Sequence, residues 1–437
     1  MNIVLIALDT QRADHLGCYG YKRATSPRID ALAREGVLFE HAYTYWPKTR
    51  ASFVSIHTGK TAAESGYGTE TPILLSFNET IASLLKEDGY ETAAIVDNAN
   101  VAGSLGYSKG FDSFREVWED REVKNEVDGA HAITREALSF LGRGHEHPFL
   151  LWLHYVNPHA PYTPPPPNDT AFLDQEALSG EKLKVVSGFH GGIPRPLFVS
   201  GHRNLAYYLA QYDGEIKTAD SEIGAVLDGL SRSASAAKTD VVLLADHGES
   251  LGEHDYYFDH GEDLFEPCLR IPLVIKLHTS RQGSVASSLA STLDVLPTLL
   301  ALGKRALPPG LPGRSLLDLA HGEKGPRSGR LFAQNDRGLA STWDERFTLI
   351  ERPLPDGTTT RALYDRDADP SESEDSSKAH PREREAADRE LDFFLGRQNQ
   401  EKAALAAVVK GAKGPGVMTR EACKRLKALG YVSECAP

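Results

Sequence analysis

The chain has 437 residues, 41% of them apolar and 25% charged. These are the proportions of a soluble globular protein, at a length beyond what one hydrophobic core usually spans. The net charge of −13, from 48 basic against 61 acidic residues, argues against a nucleic-acid partner, which calls for a basic face; a local cationic pocket for an anionic substrate remains compatible with it.

The first residues run straight into a strand-like segment, with no basic start or cleavage site, and no apolar run reaches ~18 residues. A cytoplasmic location without a membrane span is therefore the default expectation. Cys18, Cys268, Cys423 and Cys435 are spaced neither as a metal clip nor as a redox pair, so no disulfide framework is expected.

Residues 3–8 form a continuous apolar run closed by Asp9, the pattern of a strand buried on both faces. Helical periodicity follows over 26–35, 51–57, 80–88 and 128–141. A second buried strand is predicted over Phe149–Tyr155. Four prolines from Pro164 open a loop-rich insertion to about Arg195, long enough to be a candidate lid or specificity loop. A helix is predicted over 205–230, a third buried strand over 241–245 closed by Asp246 and His247, and a helix over 293–300. Alternation of this kind predicts a three-layer α/β/α sandwich with a mostly parallel central sheet. From about Pro326 the texture changes to short strands over 331–334, 347–351 and 360–364 and a charged helix over 381–395. Residues 396–416, rich in Ala, Gly and Lys, read as a linker, and a short tail helix is predicted over 419–430. The division predicted is a catalytic domain over 1–325 and a smaller α+β subdomain over 326–437.

In an open α/β sheet, ligands gather at the carboxyl ends of strands. Two strands here end in potential metal ligands, Asp9 and the adjacent Asp246 and His247. A lone carboxylate after a strand is usually a helix cap; two such ends, one with a histidine, point to a site for a divalent cation. Thr49 stands just before a helix. Alone it reads as an N-cap. A helix start also concentrates backbone N–H groups and positive dipole, where an anionic ester would dock, and a hydroxyl bound to a metal there becomes a usable nucleophile.

The run Leu8-Asp9-Thr10-Gln11-Arg12-Ala13-Asp14-His15-Leu16-Gly17-Cys18-Tyr19-Gly20 closely resembles the opening motif of sulfatase-like proteins of the alkaline phosphatase superfamily. The resemblance continues through Asn157-Pro158-His159-Ala160-Pro161-Tyr162, Ala245-Asp246-His247-Gly248-Glu249, Arg270-Ile271-Pro272-Leu273-Val274 and Leu363-Tyr364-Asp365 to Leu426-Lys427-Ala428-Leu429-Gly430-Tyr431, in order along nearly the whole chain.

Aligning Thr58-Gly59-Lys60 with the end of the family's nucleophile motif places Thr49 at the nucleophile. The resemblance implies that Asp9, Thr49, Asp246 and His247 hold one divalent metal: Zn, Mn, Mg or Ca. Sulfatases proper carry Cys or Ser at the nucleophile, converted to formylglycine, followed by Pro and Arg where this chain has Ala51 and Phe53. Threonine cannot become formylglycine, so none is expected. Thr is the nucleophile in relatives acting on phosphate esters. A Lys-Trp-His unit that binds sulfate reads Asp97-Asn98-Ala99 here, so both cations are lost, and Asn98 is left to donate to an ester oxygen.

His159 matches a substrate-site histidine able to protonate a leaving oxygen. His260 takes the position of a further family lysine. Arg50 and His254 are weaker substrate-binding candidates. The implied activity is hydrolysis of a phosphate-type or sulfate ester of a small anionic molecule through Thr49. The alternatives are a phospho-group transferase using the same adduct and a catalytically silent binding relative. Oligomeric state is left open.

Overall fold

A computed structural model of the chain describes residues 1–68, 71–174, 180, 182–280, 282–321, 329–412 and 420–428. The run Asn2–Leu8 (β1) is buried throughout and lies at the centre of an eight-stranded sheet. The other strands, in chain order, are Val37–Phe39 (β2), Glu91–Val96 (β3), Ser113–Glu116 (β4), Phe149–Tyr155 (β5), Thr239–Ala245 (β6), Leu273–Lys276 (β7) and Ser284–Ala286 (β8). The spatial order is β8-β2-β7-β6-β1-β5-β3-β4. β6, β1, β5, β3 and β4 run parallel, and β7 is antiparallel to both its neighbours. The three strands expected from continuous apolar runs are thus the three central ones, as burial on both faces requires.

Helices cover both faces. Pro27–Glu35 (α1), Glu126–Gly142 (α3) and Leu205–Arg232 (α4) pack together on one side. Thr49–Thr58 (α2) packs with Ile81–Glu87 and Val295–Leu302 on the other. α2 starts two residues earlier than the 51–57 predicted, so Thr49 is its first residue rather than its cap. It stops at Gly59, whose φ of 65° is the left-handed conformation that suits glycine.

Past the main sheet, Leu331–Gln334, Ala340–Trp343, Phe347–Pro353 and Thr359–Asp365 (β9 to β12) form an antiparallel meander. Its two faces are used differently, as period-2 alternation allows. Leu331, Trp343 and Ile350 pack on Tyr43, Leu264 and Phe265 of the main body, while Leu349 and Leu363 pack on Ala387 and Leu391 of a long helix, Pro381–Gly411 (α5). That helix corrects the linker expected over 396–416 as far as residue 411. Glu, Lys, Gln, Ala and Leu are all good helix formers, and they carry the helix on through a segment whose composition resembles a linker. The expected boundary at 325 and 326 lies outside the described residues. The tail helix Arg420–Ala428 (α6) docks on the main body through buried Ala422 and Leu426. Cys423 within it is disulfide-bonded, against the expectation from cysteine spacing, while Cys18 and Cys268 are free. Among the described residues no helix is long and apolar enough to cross a membrane.

Candidate active site

β1 pairs in parallel with β6 so that Leu8 faces Ala245, and the next residues, Asp9 and Asp246, emerge side by side. Backbone bonds fix both ends: Asp246 N–H donates to Leu8 O and Asp9 N–H to Tyr155 O on β5. The N–H groups of Thr10 and His247 both donate to Asp246 Oδ1, at 3.2 and 2.7 Å. His247 Nδ1–H donates to Gly248 O at 2.9 Å, which leaves Nε2 to present its lone pair as an acceptor. That nitrogen lies 3.4 Å from Asp246 Oδ2, 3.7 Å from Asp9 Oδ1 and 3.3 Å from Thr49 Oγ1. Ser52, one turn into α2, donates to Asp246 O at 2.7 Å and pins the helix start to this corner.

The four residues predicted to meet do meet. All are buried, and Asp9 Oδ1 and Asp246 Oδ2 have no hydrogen-bond partner. Burial drives both carboxyl pKa values well up; the Asp9 charge raises Asp246 further, and the Glu249 charge raises Asp9. Ligand atoms of Asp9, Asp246 and His247 lie within 4.8 Å of one another. Two buried orphan carboxylate oxygens facing a lone pair are a donor set that a divalent cation satisfies and that protein groups leave unsatisfied.

His159 follows the cis peptide Asn157–Pro158 and precedes the cis peptide Ala160–Pro161. Both ends of this loop hang on one buried carboxylate of α4: Asn157 Nδ2 donates to Glu215 Oε2 at 2.6 Å and Thr163 N–H to Oε1 at 2.8 Å. The His159 ring lies 5.2 Å from that of His260, which lies 4.3 Å from that of His247. His159 Nδ1–H donates to Ala160 O at 2.5 Å. Burial lowers both His159 and His260 to about 4.

Two residues to which the sequence assigned no role complete this face. Glu249 reaches His260 Nδ1 at 3.3 Å with one oxygen and accepts from Tyr162 OH at 2.6 Å with the other. His154, one residue before the end of β5, has Nε2 3.9 Å from Asp9 Oδ2. A histidine inside an otherwise apolar strand was the available signal for it.

Asn98 donates to Asp9 Oδ2 at 2.5 Å, so it supports a carboxylate of the cluster rather than standing open toward an ester oxygen. Arg50 lies half-buried beside Thr49, its Nε donating to Asn100 Oδ1 at 2.9 Å. Phe53 packs its ring edge-on to His154 at 4.7 Å, in the core. His254 is elsewhere: it stacks on Phe265 with ring centroids 3.4 Å apart, near Asp263, Glu253 and Arg352 and not in the Asp9, Asp246 and His247 cluster.

The sulfatase family profile matches residues 1–304, more than two thirds of the chain. The chain belongs to the sulfatase family. As a member it is a hydrolase of the alkaline phosphatase superfamily. An arylsulfatase of Clostridium perfringens is 27% identical over 386 residues, covering 73% of this chain and 78% of that protein. A multifunctional alkaline phosphatase superfamily protein of Trinickia caryophylli is 25% identical over 406 residues, covering 74% and 77%. The crystal structure of the phosphonate monoester hydrolase of Agrobacterium radiobacter superposes with a TM-score of 0.74 at 18% identity, covering 91% of this chain and 96% of that one. That last likeness is one of fold.

One close approach behind the site gives a direct stability test. Asp97, which follows β3, packs against α3 at Gly129, where a Cβ would lie 1.8 Å from Asp97 Oδ2. Gly129→Ala should gain helix propensity yet lose about 1–3 kcal/mol net through overpacking. Denaturant unfolding measures the difference, and a stabilised variant would contradict the packing described.

Proposed function

We propose that this protein hydrolyses a small anionic ester, of phosphate type (mono- or diester) or sulfate, with Thr49 as nucleophile and one divalent cation held by Asp9, Asp246, His247 and Thr49. The observation that carries the reading is the position of Thr49. Its Oγ1 lies at the first turn of α2, 3.3 Å from His247 Nε2, beside two buried carboxylate oxygens without partners.

A divalent cation bound there supplies the charge that lowers the pKa of the Thr49 hydroxyl and offsets charge on the ester oxygens. The chain's own groups do the rest. Thr49 Oγ1 forms a bond to phosphorus or sulfur as the bond to the leaving oxygen breaks, and the positive end of the α2 dipole, with the N–H groups of its first turn, faces the growing negative charge. The proton lost from Oγ1 passes to solvent, and His159 or His260, protonated from solvent once the anionic substrate is bound, delivers one to the leaving oxygen. Both are neutral before substrate binds, since burial holds them near 4; an anionic substrate alongside raises their proton affinity. Glu249 orients His260 for this transfer. Water then reverses the sequence on the Thr49 ester.

Phosphate-type esters are favoured over sulfate by three residues. Thr49 excludes formylglycine chemistry, Phe53 places an aromatic ring where sulfatases proper carry Arg, and Asp97 puts an acid where they carry Lys. The test is a parallel panel of nitrophenyl sulfate, phosphate monoester, phosphate diester and phosphonate monoester, with metal content of the purified protein measured alongside. Turnover fastest on a phosphorus ester is expected. A metal-free protein inert on all four would leave a silent relative in its place.

A further inference from the structure

The segment that lacks the family's cations receives one from the far end of the chain. Arg425, on the tail helix α6, is almost fully buried, and its Nη2 donates to Asp97 Oδ2 at 2.9 Å across 328 residues of sequence. Its Nη1 lies 3.4 Å from Glu126 Oε1 at the start of α3. One guanidinium thus joins the carboxyl edge of β3, the N-terminus of α3 and the tail helix. Arg425 lies outside residues 1–304, the part matched by the family.

Asp97 is completely buried and is the residue directly before Asn98. The Asn98 amide holds Asp9 Oδ2, and its Oδ1 accepts from Asn100 N–H at 2.9 Å; Asn100 in turn holds Arg50 beside Thr49. The 97–100 segment therefore touches both halves of the nucleophile site. A buried carboxylate stripped of its cation has two outcomes, protonation or movement toward solvent. Movement pulls Asn98 off Asp9, and Gly129 behind Asp97 shows how little slack the site has. The charge also reaches the pocket, since Arg425 adds to the burial that holds down the proton affinity of His159.

We infer that the tail helix is part of the active site, with Arg425 a positioning residue that neutralises Asp97 and so fixes Asn98 against Asp9. This rests on the reading of Asp9 as a metal ligand. The pairing makes a specific genetic prediction, because the harm done by losing Arg425 comes from the charge it leaves behind on Asp97. Removing that charge as well should restore function.

The test compares Arg425→Met, Arg425→Lys, Asp97→Asn and the double variant Arg425→Met with Asp97→Asn, beside Arg420→Met on the exposed start of the same helix. Each is measured for divalent-metal affinity by chelator competition, for kcat and KM on the panel substrate turned over best, and for melting temperature. Arg425→Met should lose about 10-fold or more in metal affinity and in kcat with KM little changed, as losing an outer partner of a metal ligand does. Arg425→Lys should lie between, and the double variant should recover most of both. Arg420→Met should match the parent.

Arg425→Met with metal affinity and kcat within two-fold of the parent would overturn the inference. So would a double variant no better than the single one; if Arg425→Met fails to fold, Arg425→Lys and the double variant still decide. A parent protein that binds no metal would overturn the proposed function as well, which separates the two failures.

Discussion

Thr49→Ala is expected to lower kcat/KM on the preferred ester by on the order of 10⁴-fold or more, the scale at which removing a nucleophile acts, while the purified variant still carries metal. The two effects separate because Thr49 supplies a neutral hydroxyl, whereas Asp9, Asp246 and His247 supply the charge and the imidazole lone pair that dominate affinity for a divalent ion. The methyl of Ala leaves the first turn of α2 intact, since Thr49 is inside the helix and alanine is the best helix former. Thr49→Ser keeps an Oγ at the same place with freer χ1, and should retain activity within roughly 10–100-fold. Initial rates on the four-ester panel give the loss. Mass spectrometry of quenched parent protein should reveal an adduct on Thr49 that is absent from the alanine variant. Undiminished turnover by Thr49→Ala would remove this residue from the chemistry and leave only a metal-binding pocket.

What the sequence disclosed and what it hid follow from how each feature is encoded. β1, β5 and β6 are central and parallel, so they appear as continuous apolar runs, and the residue that closes each run sits at the sheet edge where ligands bind. That local signal was enough to bring Asp9, Asp246 and His247 together. β3 reads Glu-Thr-Ala-Ala-Ile-Val, too weakly apolar to stand out, although it delivers Asp97 and Asn98. β7 is short and antiparallel, and breaks the alternation from which the other strands were read. Glu249 was visible as part of the Asp-His-Gly-Glu run, but its role exists only because the chain turns back to bring His260 to its carboxylate. Arg425 is the extreme case. No pattern in the sequence couples a tail-helix arginine to a carboxylate 328 residues earlier; only the docking of Ala422 and Leu426 places it there.

Asp246→Asn should separate two roles that the parent residue combines, raising stability without metal and reducing the stability that metal adds. In the chelated parent protein, Asp9 and Asp246 are buried carboxyls, like charges once ionised, and each has an oxygen without a partner. Asparagine keeps the oxygen that accepts from Thr10 and His247 N–H. It replaces the orphan Oδ2 by an amide N–H within reach of the His247 Nε2 lone pair, which now lies 3.4 Å from that atom. One unsatisfied acceptor and one repulsion disappear together. The chelated variant should therefore be more stable than the chelated parent by about 1–3 kcal/mol in denaturant unfolding at pH 8.

The pH dependence follows from the direction of the shift. A carboxyl whose folded pKa is raised binds a proton more tightly in the folded state, so its stabilising contribution is complete below the unfolded value and is lost as pH climbs through the folded one. The stability difference between variant and parent should accordingly be largest at high pH and shrink on acidification. With metal present the balance shifts back toward the parent. At a cation concentration of 100 times Kd the parent gains about 2.7 kcal/mol, while the variant, short of one ligand charge, should bind more weakly by well over 10-fold and gain little. Equal stability of the two chelated proteins at pH 8 would mean that the paired carboxylates carry no stored repulsion, and the case for a cation between them would lose its physical basis.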